Sequence, residues 1–275
     1  MVDLIFFYFA LVSYFLAFMF SLLYLHQNAR LWRSVMFYLL LVGFSGQTFS
    51  ILSRGITARY FPGTSLYEAL SLFAWMFILF SLFIYSKDRT GIFSAQILAL
   101  TLIFMAIAIP TSHEIRFLPP ALDSAWLTFH VSLIIAGEAA LGILFCFALL
   151  YLLLERQLKL KRVGYLYYRL PPLQMLDDLS YRVLSLGFFL LTLGIITGSA
   201  WASVAWGSYW SWDPKETWSL ISWLIYAALF HVRIAYGWRG KKVAILAVLG
   251  FVFVIFNLLG ITLLFSSLHT YGSGG

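Results

Sequence analysis

Residues 183–201 read VLSLGFFLLTLGIITGSAW and contain no charged side chain. A helix needs about 20 predominantly apolar residues to cross a bilayer, so this run has the length of a membrane span. The whole chain of 275 residues has the same character, because 62% of its residues are hydrophobic, 11% are charged and the mean hydropathy is +0.91. Soluble domains carry about 25% charged residues. The composition excludes a soluble enzyme, a disordered protein and a disulfide scaffold, and it predicts an all-α polytopic membrane protein.

Apolar runs of spanning length recur along the chain and predict about eight transmembrane helices in a single membrane domain over residues 1–275. The first run has no basic stretch before it and no cleavage site after it, so we expect a retained helix rather than a signal peptide. We expect the long fifth run to project beyond the bilayer, and the polar residues that follow it to form a linker over about 155–180. The runs fall at about 3–25, 34–52, 66–85, 91–109, 124–154, 181–201, 217–237 and 243–265.

The basic residues predict the orientation of these spans. All but four of the 18 lysines and arginines follow the first, third, fifth and seventh runs. Loops on the cytoplasmic side are enriched in Lys and Arg, so both termini are predicted on the outer, periplasmic or lumenal, side. The same rule accounts for the net charge of +7 without nucleic-acid binding. The four exceptions, on the predicted outer face, are Arg54, Arg59, Arg116 and Lys215, and the three arginines could neutralise anionic groups there.

The only cysteine, Cys146, lies inside an apolar run. An internal disulfide, a CxxC redox pair and a cysteine-rich metal site are therefore excluded. Any thiol chemistry that the protein serves must use thiols of another molecule.

An outer segment over residues 201–218, WASVAWGSYWSWDPKETW, holds half of the ten tryptophans. Trp and Tyr favour the membrane interface, but that preference explains one or two tryptophans per helix end rather than five. Indole faces offer wide apolar contact and offset stacking, so the segment could hold a large flat ligand. The five are Trp201, Trp206, Trp210, Trp212 and Trp218.

Asp213-Pro214-Lys215-Glu216 also has a purely structural interpretation. Asp is a good N-cap, Pro favours the first helical position, and a Glu three residues after the cap closes a capping box. The seventh helix is therefore expected to begin here, whether or not Asp213 and Glu216 have a further role.

Two histidines are predicted at the depth of the tryptophan segment. His130 opens the fifth helix on the outer side, and His269 follows the eighth helix on the same side. Two neutral imidazoles facing each other across a flat apolar surface could supply both axial ligands to a haem iron. Two unrelated interfacial histidines remain the alternative.

His231 lies deeper, fourteen residues after Thr217 and so about 21 Å along the seventh helix. An ionisable side chain at that depth is a candidate functional residue. It could instead hydrogen-bond within the bundle or snorkel toward the cytoplasm beside Arg233, and as a haem ligand it would need a second residue opposite. Glu138 is costly inside the fifth helix unless it is paired. His26 is expected at the inner interface. His113 is expected in solvent, with the role of a fallback ligand as the alternative.

The stretch WGSYWSWDPKETW over 206–218, continuing through SWLIYA over 222–227 to His231, resembles the WWD signature of haem-handling proteins in cytochrome c biogenesis. It is most similar to the CcsA/ResC branch of System II. FPGTSLYEAL over 61–70 resembles an outer loop of that branch, and the similarity runs from about residue 50 to the end. Glu138 departs from the neutral residue expected there.

The resemblance implies a site and a function. His130 and His269 would ligate haem b on the outer face, beside Trp206, Trp210, Trp212, Asp213 and Trp218. His231 would ligate a transmembrane haem whose opposite ligand comes from a CcsB/ResB-type partner. No region of that type is seen in this sequence, so the partner is expected to be a separate protein. As part of a cytochrome c synthase complex, the protein would present haem to the CxxCH thiols of apocytochrome c, kept reduced by a thiol-reducing system.

Three other interpretations stay open. A CcmC-like protein would use a WWD segment to load a haem chaperone. A haem b electron-transfer subunit would bury paired histidines in mid-membrane. A transporter with an aromatic gate would show broken helices and polar sites at the midplane. The membrane itself, whether a bacterial plasma membrane or a thylakoid, is not determined by these patterns.

Overall fold

The computed structural model describes residues 1–85, 91–115, 124–161 and 170–264, and these ranges contain helices and no strand. The prediction of an all-α protein is confirmed. The helices are α1 (Val2–Gln27), α2 (Arg30–Ala58), α3 (Leu66–Ile84), α4 (Ile92–Ala108), α5 (Ala125–Lys159), α6 (Leu173–Trp206), α7 (Pro214–Ala235), α8 (Lys241–Ile255), a π-helical turn over Phe256–Gly260, and α9 (Ile261–Leu264).

In the described ranges, seven helices are long and apolar enough to cross a membrane. One of the seven is α8 together with the π-helical turn, which form a continuous helix of 20 residues. The eighth predicted span, α4, is apolar but has 17 residues. The protein is thus a multi-pass membrane protein. The placement of both termini on the outer side stays a prediction.

The fifth helix is longer than a bilayer requires. With 35 residues, α5 measures about 52 Å at 1.5 Å per residue, against about 30 Å of hydrocarbon. It continues to Lys159, and α6 already begins at Leu173. The expected linker over 155–180 is therefore too long, because both neighbouring helices extend into it. Residues 162–169 lie outside the described part of the chain.

The chain divides into two compact units. The single membrane domain stays a prediction. The first unit holds α1 to α4. Its α1 and α2 form a hairpin in which Gly43 leaves room for the ring of Tyr14. The Tyr14 hydroxyl donates to Gln47 Oε1 over 2.9 Å, and Gln47 Nε2 donates to the Ser71 carbonyl over 2.9 Å.

Arg54 belongs to the interior of this first unit. Its Nε donates to Glu68 Oε1 over 2.7 Å, and its Nη1 donates to Asp3 Oδ2 over 3.0 Å and to the His113 carbonyl over 3.1 Å. The expectation of an outer-face arginine for anionic groups is wrong for Arg54, because two carboxylates already neutralise it. His113 differs from its expected solvation as well, since its ring packs edge-on against Tyr67 at 4.6 Å.

The second unit holds the body of α5 together with α6, α7, α8 and α9. Glycines bring α5 and α6 into close contact. A Cβ at Gly137 of α5 would lie 2.8 Å from the Leu191 backbone nitrogen. On α6, Gly187 and Gly194 leave room for the side chains of Leu141 and Ile134. Small residues at helix–helix contacts allow such close approach in membranes. This contact fixes α5 against the helix that leads into the tryptophan segment.

Candidate functional site

The tryptophan segment joins α6 to α7 and is held by local hydrogen bonds. Asp213 Oδ1 accepts from the Lys215 amide over 2.8 Å, while Glu216 Oε2 accepts from the Asp213 amide over 3.3 Å. The Asp213 side chain also accepts from the Glu216 backbone, so the predicted capping box is confirmed, with Pro214 at the start of the helix. Glu216 Oε2 also accepts from the Ser211 amide over 2.8 Å and from its hydroxyl over 3.1 Å. The side chains of Asp213 and Glu216 thus stabilise the segment by accepting hydrogen bonds from its own backbone.

Two residues of the connection have a left-handed backbone. Gly207, directly after α6, has φ 75°, and Trp212, directly before the N-cap, has φ 59°. Glycine adopts this region freely, whereas for tryptophan it is a strained conformation of the kind found at ligand sites. The Ser199 hydroxyl of α6 donates to the Tyr209 carbonyl over 2.9 Å, which ties the connection back to the helix.

The tryptophans of the segment fall into two groups. Trp201 is fully buried in α6 against Leu127 of α5, and Trp218 of α7 packs on Phe256 with ring centroids 4.5 Å apart. In contrast, Trp212 is 69% exposed and meets Trp210 edge-on at 5.8 Å. Trp206 is half-buried against Trp201. The ends of the segment anchor it in the bundle, and its middle offers exposed rings.

His130 reaches the same region from α5. Its Nδ1 lies 2.8 Å from the Gly194 carbonyl oxygen, and its ring stacks on Trp201 with centroids 6.0 Å apart. A carbonyl only accepts, so Nδ1 carries the hydrogen and the lone pair of the neutral ring is on Nε2. Metal-binding histidines commonly have this arrangement, with one ring nitrogen donating to a carbonyl. His130 therefore has the tautomer of an Nε2 ligand.

Gly198 makes that position possible. A Cβ at Gly198 would lie 2.5 Å from both Nδ1 and Cε1 of His130, closer than atoms can approach. Sequence reasoning missed Gly194 and Gly198. The spacing of Gly187, Gly194 and Gly198, which places all three on one buried stripe of α6, is the signal that would have found them.

His231 is exposed on α7, on a stripe with Leu224, Ala228 and Ala235. The described part of the chain gives its imidazole one ring contact, edge-on to Tyr236 at 6.1 Å. Because the side chain is exposed, the interpretation of His231 as a histidine that hydrogen-bonds within the bundle is wrong. His269 and Arg116 lie outside the described residues, so the facing pair of His130 and His269 stays a prediction.

Glu138 is buried in α5 and does find partners. Asn257, in the π-helical turn, donates from Nδ2 to Glu138 Oε1 over 3.4 Å and to Ser219 Oγ over 3.1 Å. Sequence reasoning marked Glu138 as costly but missed Asn257, because 119 residues separate the two.

Comparison with known proteins assigns the family. The family described as cytochrome C assembly protein matches residues 64–269. The chain is 38% identical to "Cytochrome c biogenesis protein CcsA" of Pyropia yezoensis, over 82% of this chain and 83% of that protein. It is 39% identical to the protein of that name from Guillardia theta, over 80% and 79%, and 40% identical to that from Solanum tuberosum, over 81% and 80%.

A solved structure has the same fold. "Cytochrome c Heme Lyase CcmF" superposes with a TM-score of 0.68 at 18% identity, covering 94% of this chain. The chain spans about half of that protein's length, 46%. At this identity the likeness concerns the fold alone. With a family match over three quarters of its length and relatives at 38–40% identity, the chain belongs to the cytochrome c assembly protein family.

Proposed function

We propose that the protein binds haem at the outer tryptophan segment and presents it for covalent attachment to apocytochrome c. The observation that carries this proposal is His130. Its ring is held by the Gly194 carbonyl and by Trp201 in the tautomer of an Nε2 ligand, and Trp212 of the same tryptophan segment has an exposed indole. Membership of the cytochrome c assembly family supports a role in cytochrome c maturation.

The residues of the segment divide the work of holding a flat substrate. The exposed ring of Trp212 and its edge-on neighbour Trp210 offer apolar contact to a porphyrin face. Trp206 packs on the buried Trp201, Trp218 packs on Phe256, and Asp213 caps α7. His269 is proposed as the second axial ligand. Haem supplies two vinyl groups, across which the thiol S–H bonds of a CxxCH motif add to form thioethers.

The protein's own contribution is position. Histidine ligation of the iron and indole contact with the porphyrin would hold the haem so that its vinyl groups face the incoming thiols. Orientation of the reactants lowers the barrier of such a step. Cys146 is buried, so the reacting thiols belong to apocytochrome c and are kept reduced by a separate thiol-reducing system.

His231 supports a shared site with a CcsB/ResB-type partner. An imidazole on the exposed, apolar stripe of α7 would face lipid in an isolated chain, which is unfavourable for a polar group. A haem ligated by His231 on one side and by the partner on the other removes that cost. Haem would then pass from this deep site to the outer one.

The test is haem content in purified complexes. We expect low-spin haem b in the chain co-expressed with its partner, and its loss from the outer site in His130→Gly and His269→Gly variants. His231→Gly should lower haem only in the partner complex. The same variants should lower maturation of a CxxCH reporter cytochrome. Unchanged haem and maturation in both outer variants would contradict the proposal, and haem appearing on a separate chaperone would favour the CcmC-like alternative.

A further inference from the structure

The inward face of α7 is a polar stripe. Lys215, Ser219, Ser222 and Tyr226 recur at spacings of four, three and four residues, which places them on one side of a helix. Ser222 is 3% exposed and Tyr226 is fully buried. Polar side chains within membrane-spanning helices are costly unless they find partners. This stripe covers about 16 Å of α7 at 1.5 Å per residue.

Two more polar residues face the stripe from neighbouring helices. Glu138 of α5 and Asn257 of the π-helical turn are each 4% exposed. Asn257 Nδ2 is shared between Ser219 Oγ at 3.1 Å and Glu138 Oε1 at 3.4 Å. π-Helical turns recur at functional positions in membrane and soluble helices, and this one carries the amide that joins three helices.

Three buried polar atoms of this cluster have no partner among the described residues. They are Asn257 Oδ1, the Ser222 hydroxyl and the Tyr226 hydroxyl. Buried hydroxyls and amides in native proteins are hydrogen-bonded, either to protein or to ordered water. Gly250 of α8 lies against the end of the tyrosine, where a Cβ would be 3.1 Å from the Tyr226 oxygen, so the opposite helix supplies backbone rather than an acceptor side chain.

Glu138 and Lys215 form no direct ion pair among the described residues, whereas Arg54 and Arg233 each contact a carboxylate directly. Water with two to four polar neighbours is what fills such sites in proteins.

We propose that ordered water buried along the inward face of α7 completes the hydrogen bonds of Ser222, Tyr226 and Asn257, the groups that lack a protein partner among the described residues. The site goes beyond the proposed haem function and does not depend on it. At the Asn257 end of the site, Nδ2 joins α5 to α7 because it contacts both Glu138 and Ser219.

Radiolytic footprinting tests the site directly. A short X-ray pulse makes hydroxyl radicals from water in place, so a buried side chain is oxidised when water is bound beside it. Tyr226 and Tyr14 are a matched pair within one chain, because both are fully buried and only Tyr14 has a hydroxyl partner, Gln47. In the full chain in nanodiscs, we expect Tyr226 to be oxidised several-fold faster than Tyr14.

A filling variant adds a second comparison. Ser222→Val places methyl groups where the hydroxyl lies, and we expect oxidation of Tyr226 to fall to the rate of Tyr14. Ser185→Val is the control, because Ser185 on α6 donates to the Tyr181 carbonyl within its own helix. Equal slow oxidation of Tyr226 and Tyr14 in the unmodified, folded chain would overturn the proposal. That comparison needs no variant, and haem content does not enter it.

Discussion

At the scale of single residues, the position of His130 depends on the absence of a side chain at Gly198. Alanine at residue 198 would put a Cβ 2.5 Å from the imidazole, so the ring must move away from the Gly194 carbonyl. We predict that Gly198→Ala lowers haem content several-fold, measured as pyridine haemochrome per protein. Gly187→Ala is the packing control, because a Cβ there would meet Leu141 and Ala140 of α5 rather than the imidazole. Equal losses in both variants would indicate a general packing defect.

The strained backbone of Trp212 allows the ring and the chain to be tested separately. Glycine accepts φ 59° without the strain that tryptophan carries, which is about 1–3 kcal/mol for such conformations. The ring is 69% exposed, so removing it should cost little packing. We predict that Trp212→Gly keeps or raises the melting temperature and lowers haem content. A fall in melting temperature together with unchanged haem would show that the ring serves the fold.

At the scale of elements, the start of α7 depends on the Asp213 cap. Replacing an N-cap by Ala costs about 1 kcal/mol, whereas Asn caps as well as Asp. We predict that Asp213→Ala lowers the melting temperature in detergent and that Asp213→Asn does not. The Asn variant also isolates the charge, so lost haem at an unchanged melting temperature would assign the carboxylate a role in addition to capping.

The other end of α7 is fixed by an ion pair with α6. Arg233 donates to both carboxylate oxygens of Asp177 over 3.0 and 2.8 Å, and Asp177 Oδ1 accepts from the Gly240 amide over 3.1 Å. Removing one partner of a buried pair costs about 3–5 kcal/mol. We predict that Arg233→Ala strongly lowers the melting temperature and that Arg233→Lys restores little of it, because lysine lacks the two-pronged geometry.

A control for this pair is Lys159, whose exposed ammonium pairs with the partly buried Glu155 at 2.8 Å. Surface pairs contribute about 0–1 kcal/mol, so Lys159→Ala should leave the melting temperature nearly unchanged. Similar effects of the two substitutions would contradict a specific role of the Asp177 pair.

At the scale of the whole molecule, the predicted orientation can be tested by labelling. In a Cys146→Ser background, a cysteine at Ser208 should react with an impermeant maleimide added to intact cells. A cysteine at Arg239, between α7 and α8, should react only after the membrane is opened. The reversed pattern would place both termini on the inner side and would remove the tryptophan segment from the compartment of the acceptor cytochrome.

The sequence predicts the features of this fold that depend on nearby residues. Apolar runs predict the helices, and Asp213, Pro214 and Glu216 predict the start of α7, because capping acts within four residues. It does not predict pairs that the fold brings together. Arg54 meets Asp3 across 51 residues, His130 meets Gly194 across 64, and Glu138 meets Asn257 across 119. One sequence carries no signal for such distant partners.

The glycine beside His130 has a genetic consequence. Any amino acid that replaces a glycine adds at least one carbon, and in the crevice at residue 198 that carbon meets the imidazole. No missense allele at this codon is therefore conservative, although glycine itself performs no chemistry. In a screen for loss of cytochrome c, we expect alleles at Gly198 to recur as often as alleles of His130. Alleles at Phe189, which is 59% exposed on the same helix, should be rare.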